Sequence, residues 1–455
     1  MFRPSRRYYR KRRQQFSWPL IILLAIPLGL IVLEILVRVI TGVTGKSAEL
    51  AAYEGEPQPV TAYRLKFLDQ DHRPYDGLPN QGRLVVERSL LMGYKLAENQ
   101  QTNFWRINEQ GFRADQSVSQ NKPKGEVRIF VLGGSTAFGQ MSSNNQTTFA
   151  SKLETRLNQQ VTKQKQTPEK FRPDVLPYYQ DELTKALTLP LRIQDGKYRV
   201  INAAIPGYAS SNELARLSLQ VLAYQPDIIV VLDGYTDLML PSTEEGADIP
   251  HVTNFLENAP GHFYTYLTQG IQSWIGQSYL VKGAQYWLLR PQESPNQLSL
   301  VAAEPNIPLA QRLAATNSPE LKQRISRYRN NLQQMARLTS AAKVPLIVAI
   351  QPEITSRNQK RSPIKSEQDI LTQLGPSYIQ RVTTGYTGLE QATKQVQQQY
   401  PKNVTALSFY DLYADFPGRA FQDVIHLTDE ANTVLANQLY PVVTRLLLIQ
   451  PKSST

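Results

Sequence analysis

An α/β fold with a parallel sheet covered on both faces is what this chain predicts, and two observations carry that expectation. Five apolar runs have strand length: "VRIFVL" (127–132), "YRVINAA" (198–204), "DIIVVLD" (227–233), "VPLIVAIQ" (344–351) and "NVTALSFYDL" (403–412). Helical patterns separate them. Strands that alternate with helices build parallel sheets, and such strands read as unbroken apolar runs because both of their faces are buried. With 455 residues and a 41% hydrophobic composition, the chain can bury one large core and still carry appendages.

The first appendage is N-terminal. "WPLIILLAIPLGLIVLEILVRVI" (18–40) is nearly all apolar, and at 1.5 Å per helical residue it is long enough to cross a hydrocarbon core of roughly 30 Å. Glu34 and Arg38 lie one turn apart near its far end, where they can pair or reach toward the headgroups. Arg3, Arg6, Arg7, Arg10, Lys11, Arg12 and Arg13 precede the span. By the positive-inside rule they hold the N-terminus in the cytoplasm and put the remainder in the periplasm or outside the cell. A cleaved signal peptide is the alternative, but no small-x-small site follows promptly. "SRRYYRK" matches a twin-arginine signal only loosely, since further basic residues and Pro19 separate it from the apolar core.

Those seven basic residues also account for most of the net charge of +12, leaving about +5 for everything else. That remainder is too diffuse for a nucleic-acid footprint. The absence of cysteine removes disulfides, a thiolate nucleophile and thiolate zinc sites. Histidine is limited to His72, His251, His262 and His426, which disfavours an imidazole metal cluster; no metal and no cofactor is implied.

After the span, residues 43 to about 80 are polar and punctuated by Pro and Gly, as in "EGEPQPV" and "DGLPNQG". "GRLVVERSLLMGYKL" and "TNFWRINEQGFRAD" alternate apolar with polar positions and predict short antiparallel strands ahead of the main sheet. Residues 161–195 and 238–318 do not fit the strand–helix repeat and are expected to be insertions. The second contains "FYTYLTQGIQSWIGQSYLVKGAQYWLL", which predicts helices that cap the sheet's active edge or, alternatively, lie on the membrane surface.

In an open parallel sheet, ligands bind where loops leave the carboxyl ends of the strands. "VLGGSTAFG" (131–139) is such a loop and presents Ser135. It is not a P-loop, because Gln140 and Met141 stand where Lys and Ser/Thr are needed, nor a G-x-S-x-G elbow, because Ala137 occupies the second glycine position. A serine nucleophile needs a base. The best-placed histidine is in "FQDVIHLTDEAN": Asp423 precedes His426 by three residues, a spacing that in a tight turn brings a carboxylate to Nδ1 and leaves Nε2 for a hydroxyl. His72 falls in the linker, and His251 and His262 in an insertion, as surface residues. Gly207 in "NAAIPGYASS" offers a backbone N–H that a ligand can approach closely, and "DGYTDL" puts Thr236 at the same edge.

The order "GGS", Gly207, "GYTD" and "DVIH" resembles the four blocks of the SGNH (GDSL-type) hydrolases, which supply a serine, a glycine, an asparagine and a histidine. "INEQGFR" (107–113) is similar to the segment before the serine block in membrane-anchored bacterial members, and the likeness spans roughly 103–445. It implies a flavodoxin-like three-layer α/β/α fold with a five-stranded parallel sheet, in addition to the N-terminal transmembrane helix. The implied organisation is a basic cytoplasmic N-terminus (1–17), a transmembrane helix (18–41), a linker with short strands (42–102) and a hydrolase-like domain (103–450) bearing both insertions.

The resemblance further implies Ser135 as nucleophile, His426 as general base and then acid, and Asp423 as its orienting carboxylate. The N–H groups of Ser135 and Gly207 form the oxyanion hole together with position 236. There are two departures. Gly134 stands where the family has aspartate, and Thr236 where it has asparagine, so the third oxyanion donor is a shorter hydroxyl. Asp237 matches a family aspartate and is equally well placed as a helix cap. The implied activity is hydrolysis of carboxylic (acyl) esters by a membrane-bound enzyme, on a small acyl ester or an acylated glycan. O-acyl transfer or deacetylation on envelope or exported polysaccharide is one alternative, and a non-catalytic binding or assembly module another.

Overall fold

The computed structural model describes residues 18–47, 50, 58–69, 71–73, 82–248, 278–289, 308–357 and 364–452. Two compact units divide the chain: residues 1–58 with 266–292, and residues 59–265 with 293–455.

The larger unit begins with a small sheet. β1 (Leu65–Leu68) pairs in parallel with β2 (Leu84–Ser89), and β2 pairs antiparallel with β3 (Gly93–Leu96). A two-residue antiparallel pairing of β4 (Gln100–Gln101) with β5 (Arg106–Ile107) follows. The antiparallel strands expected here are present, while the β1–β2 pair is parallel.

The main sheet consists of β6 (Glu126–Gly133), β7 (Lys197–Asn202), β8 (Ile228–Asp233), β9 (Leu346–Ile350) and β10 (Val404–Ser408), the first four within a residue or two of an apolar run quoted above and β10 ending four residues before the end of its run. Every pairing among them is parallel, in the order β10-β9-β8-β6-β7. This is the flavodoxin-like 2-1-3-4-5 winding read from its far edge. β8 and β9 are buried at every residue, as strands with helices on both faces must be. The helices Phe149–Gln166 and Asp429–Leu446 pack on each other at one face, and Ser210–Leu219, Pro319–Ala342 and Lys365–Gln399 pack at the other. The first expected insertion starts inside a regular element, since the helix Phe149–Gln166 continues past residue 161 with Leu153, Leu157 and Val161 on its buried stripe.

Strand order reverses direction between β6 and β8. Gly133 pairs with Leu232 there, so the loops carrying Ser135 and Thr236 leave the sheet side by side at the switch point, where open α/β sheets bind ligands.

In the smaller unit, the helix Trp18–Val43 contains the 19-residue apolar stretch Ala25–Val43, with Ile26, Leu30, Leu33 and Leu36 exposed. Of the described parts of the second insertion, residues 278–289 belong to this unit, where the helix Tyr279–Ala284 packs on the N-terminal helix and continues into the π-turn Gln285–Leu289, while 238–248 and 308–318 belong to the larger unit. The Glu34 carboxylate collects the N–H groups of the insertion helix. His251 and His262 lie outside the described residues. His72 is exposed with φ 59°, and its Nδ1 lies 3.6 Å from a Glu87 oxygen.

Candidate active site

The loop "DVIH" closes on itself. Asp423 Oδ1 accepts the backbone N–H groups of Ile425 (3.0 Å) and His426 (2.8 Å), and Oδ2 lies 2.5 Å from His426 Nδ1. An aspartate that turns back on its own following backbone fixes such a turn, so the three-residue spacing orients the imidazole without help from elsewhere. Burial pushes the Asp423 carboxyl up, but the facing His426 ring and the two backbone N–H groups more than reverse this and hold it below the ordinary aspartate value. An ionised Asp423 only accepts, so Nδ1 carries the proton and Nε2 the lone pair.

Ser135 opens the short helix Ser135–Phe138, whose first-turn N–H groups have no intrahelical partner. Ser135 and His426 are 2% and 1% exposed, and Ser135 Oγ and His426 Nε2 are both buried without a hydrogen-bond partner. Their loops are joined by the neighbouring residues: Thr136 Oγ1 donates to the Ile425 carbonyl (3.2 Å) and accepts from Gln351 Nε2 (2.9 Å).

Gly207 sits in "IPGY", where the Tyr208 N–H returns to the Ile205 carbonyl at 3.2 Å and Gly207 takes φ 85°. Pro followed by a residue of positive φ is the signature of a type II turn, and glycine meets that demand without strain. Gly134 is tied to the same corner. A Cβ there would lie 3.2 Å from the Tyr208 carbonyl and 3.4 Å from Thr236 Oγ1. A side chain at this position would crowd the Tyr208 carbonyl, and the serine, glycine and threonine loops converge on it. Asp237 caps a neighbouring helix rather than its own, its two oxygens accepting the Ser210 N–H (2.9 Å) and the Ser210 hydroxyl (2.6 Å) just after the Gly207 turn.

Several supporting residues escape a reading of local motifs. Arg113, the last residue of "INEQGFR", is buried. It donates to the carbonyls of Phe138 (3.0 Å) and Gly139 (2.7 Å), to Asn145 Oδ1 (2.9 Å) and to the Tyr63 hydroxyl (2.8 Å). Asn202, at the end of β7, donates to the Ala137 and Phe138 carbonyls (3.1 Å each), so two side chains hold the open C-terminus of the Ser135 helix. The Tyr94 hydroxyl donates to the Pro206 carbonyl (2.8 Å) and braces the Gly207 turn. Behind the histidine loop, the buried Glu367 pairs with Arg357 (2.9 Å) and accepts the N–H groups of Ala420 and Phe421. A chain of hydroxyls runs from Tyr235 through Tyr378 to Glu353, whose carboxyl burial pushes up to about 7. The only local signal for these residues was "INEQGFR" itself; the other partners are distant in sequence.

No family model matches the chain, and no curated protein matches it. Among solved structures, it is similar to the lipase/acylhydrolase from Enterococcus faecalis (13% identity, TM-score 0.35), over 72% of this chain and 100% of that one. It is similar to TesA (17%, TM-score 0.32; 70% and 99%) and to a catalytic mutant of the acetylxylan esterase Axe2 from Geobacillus stearothermophilus (11%, TM-score 0.32; 72% and 97%). Five parallel strands in flavodoxin-like order carry the serine, glycine, threonine and histidine loops to one edge of the sheet.

Proposed function

We propose that this protein is a membrane-anchored serine hydrolase of acyl esters. The observation that carries the reading is the Asp423–His426 pair at 2.5 Å, with Nε2 of that imidazole and Ser135 Oγ both buried and free of other partners. Ser135 Oγ attacks the acyl carbonyl carbon while its proton passes to Nε2, and Asp423 stabilises the imidazolium that forms. The carbonyl oxygen becomes an oxyanion and is met by the N–H groups of Ser135 and Gly207 and by the Thr236 hydroxyl. The C–O bond to the alcohol breaks, and the alcohol leaves with the proton from Nε2. Water then attacks the acyl-serine with His426 again as base, releasing the carboxylic acid and restoring Ser135.

The helix Trp18–Val43 is the anchor in this reading. The seven basic residues among the first thirteen keep the N-terminus cytoplasmic, and the catalytic unit works on the opposite side of the membrane.

Ester cleavage by the full-length protein in detergent tests the proposal, with p-nitrophenyl acetate and an acetylated xylan as substrates. Alcohol or acetate release that disappears in Ser135→Ala and His426→Ala is expected. A folded wild type that cleaves neither contradicts the reading, and acetyl recovered on an added sugar instead of in water makes the protein a transferase.

A further inference from the structure

Glu34 is out of place in an apolar helix. It lies 16 residues beyond Trp18, about 24 Å along the axis, so in a spanning helix it falls within the far part of a hydrocarbon layer roughly 30 Å thick. A carboxylate at such depth persists only when protein groups partner it. Four donors do so: Arg38 Nε at 2.9 Å, Ser278 Oγ at 2.7 Å, and the backbone N–H groups of Tyr279 (3.0 Å) and Leu280 (2.9 Å). The last three come from a segment 244 to 246 residues further along. They are the cap hydroxyl and first-turn N–H groups of the helix Tyr279–Ala284, groups that a helix leaves unpaired and that favour negative charge. The Arg38 guanidinium then lies 4.4 Å from the Tyr279 ring centroid.

The docked segment is itself suited to a bilayer boundary. "SYLVKGAQYWLL" (278–289) has one charged residue, Lys282. Gly283 leaves room for the Trp287 ring, since a Cβ there would lie 2.9 Å from Trp287 Cζ3, and it faces Val37 of the N-terminal helix at ordinary contact distance. Trp287 remains 40% exposed beside Tyr286, and both are residue types with an apolar body and one polar group that favour membrane interfaces. On the N-terminal helix, Ile26, Leu30 and Leu33 stay open to lipid.

We infer that the segment Ser278–Leu289 is a second membrane-seated element, docked on the N-terminal helix through Glu34, with the phospholipid bilayer as its partner. The inference rests on the anchor reading above. The insertion is thereby a membrane tether as well as an interruption of the catalytic fold.

The absence of native cysteine allows a direct test. Full-length protein carrying a nitroxide on Leu30→Cys, Trp287→Cys or Thr162→Cys is reconstituted in phosphatidylcholine/phosphatidylglycerol vesicles. Relaxation by oxygen, which concentrates in lipid, is compared with relaxation by a water-soluble nickel chelate. Positions 30 and 287 should both favour oxygen and position 162 the chelate. Adding Glu34→Ala should shift position 287, and not position 30, toward the chelate. Position 30 in lipid with 287 in water overturns this inference alone, whereas both in water overturn the anchor as well. No change at 287 with Glu34→Ala overturns the docking role of Glu34.

Discussion

Thr136 and Ile425, 289 residues apart in the chain, are joined by a 3.2 Å hydrogen bond that fixes the residue after Ser135 against the residue before His426. Because Thr136 Oγ1 also accepts from Gln351, Thr136→Val leaves two buried polar groups without partners. The expected cost is about 2 kcal/mol in stability. Activity should fall through kcat by up to about 100-fold, the scale of a small misalignment of reacting groups. Urea denaturation and ester-hydrolysis kinetics check this, and Thr136→Ser should restore both.

Thr236 is the third oxyanion donor in the proposed mechanism. Thr236→Val keeps shape and removes the hydroxyl, so kcat should drop by about 100-fold with little change in stability, as for loss of one oxyanion donor. Equal kcat in the valine variant would exclude that role.

The five strands were legible because a strand buried on both faces is written as a continuous apolar run, and β6, β8 and β9 are buried almost throughout. The Asp423–His426 spacing was legible because the turn that uses it is local. Arg113, Asn202 and Tyr94 were not, since what each does depends on carbonyl groups brought to it from elsewhere by the fold. The docking of residues 278–289 was hidden for the same reason. The aromatic content of that segment is compatible with a cap or with a membrane surface, and its pairing with Glu34 joins residues 245 positions apart.

Glu213 and Asp233 face each other in the core, and among the described residues neither forms an ion pair; Arg327 lies by Asp237 instead, at 4.0 Å. The hydroxyls of Tyr208, Tyr328 and Tyr386 also interact with the pair. Burial pushes Glu213 up to about 8 and Asp233 well above its ordinary value, with the negative charge of Asp237 adding to the effect. The folded state therefore holds protons that the unfolded state has lost, and stability should fall as pH rises from the ordinary glutamate range through about 8. Denaturation midpoints across this window check the sign, and Glu213→Gln should flatten the slope. Asp423 acts oppositely: its contribution is present above the ordinary aspartate value and is lost in acid.

Arg113→Lys keeps the charge but cannot reach the Phe138, Gly139, Asn145 and Tyr63 groups together. A loss of about 3 kcal/mol in stability is expected from the charge-assisted hydrogen bonds that are lost. At temperatures where the variant is still folded, ester hydrolysis should be slower with KM little changed, because Arg113 positions the Ser135 helix and touches no substrate.

The central claim is that Ser135 is a nucleophile activated by His426. Intact-mass measurement of the full-length protein after exposure to a fluorophosphonate tests it most directly. The account predicts a single adduct that maps to Ser135, is absent in Ser135→Ala and forms far more slowly in His426→Ala. A folded wild type that takes up no label, or labels equally well without His426, would contradict it.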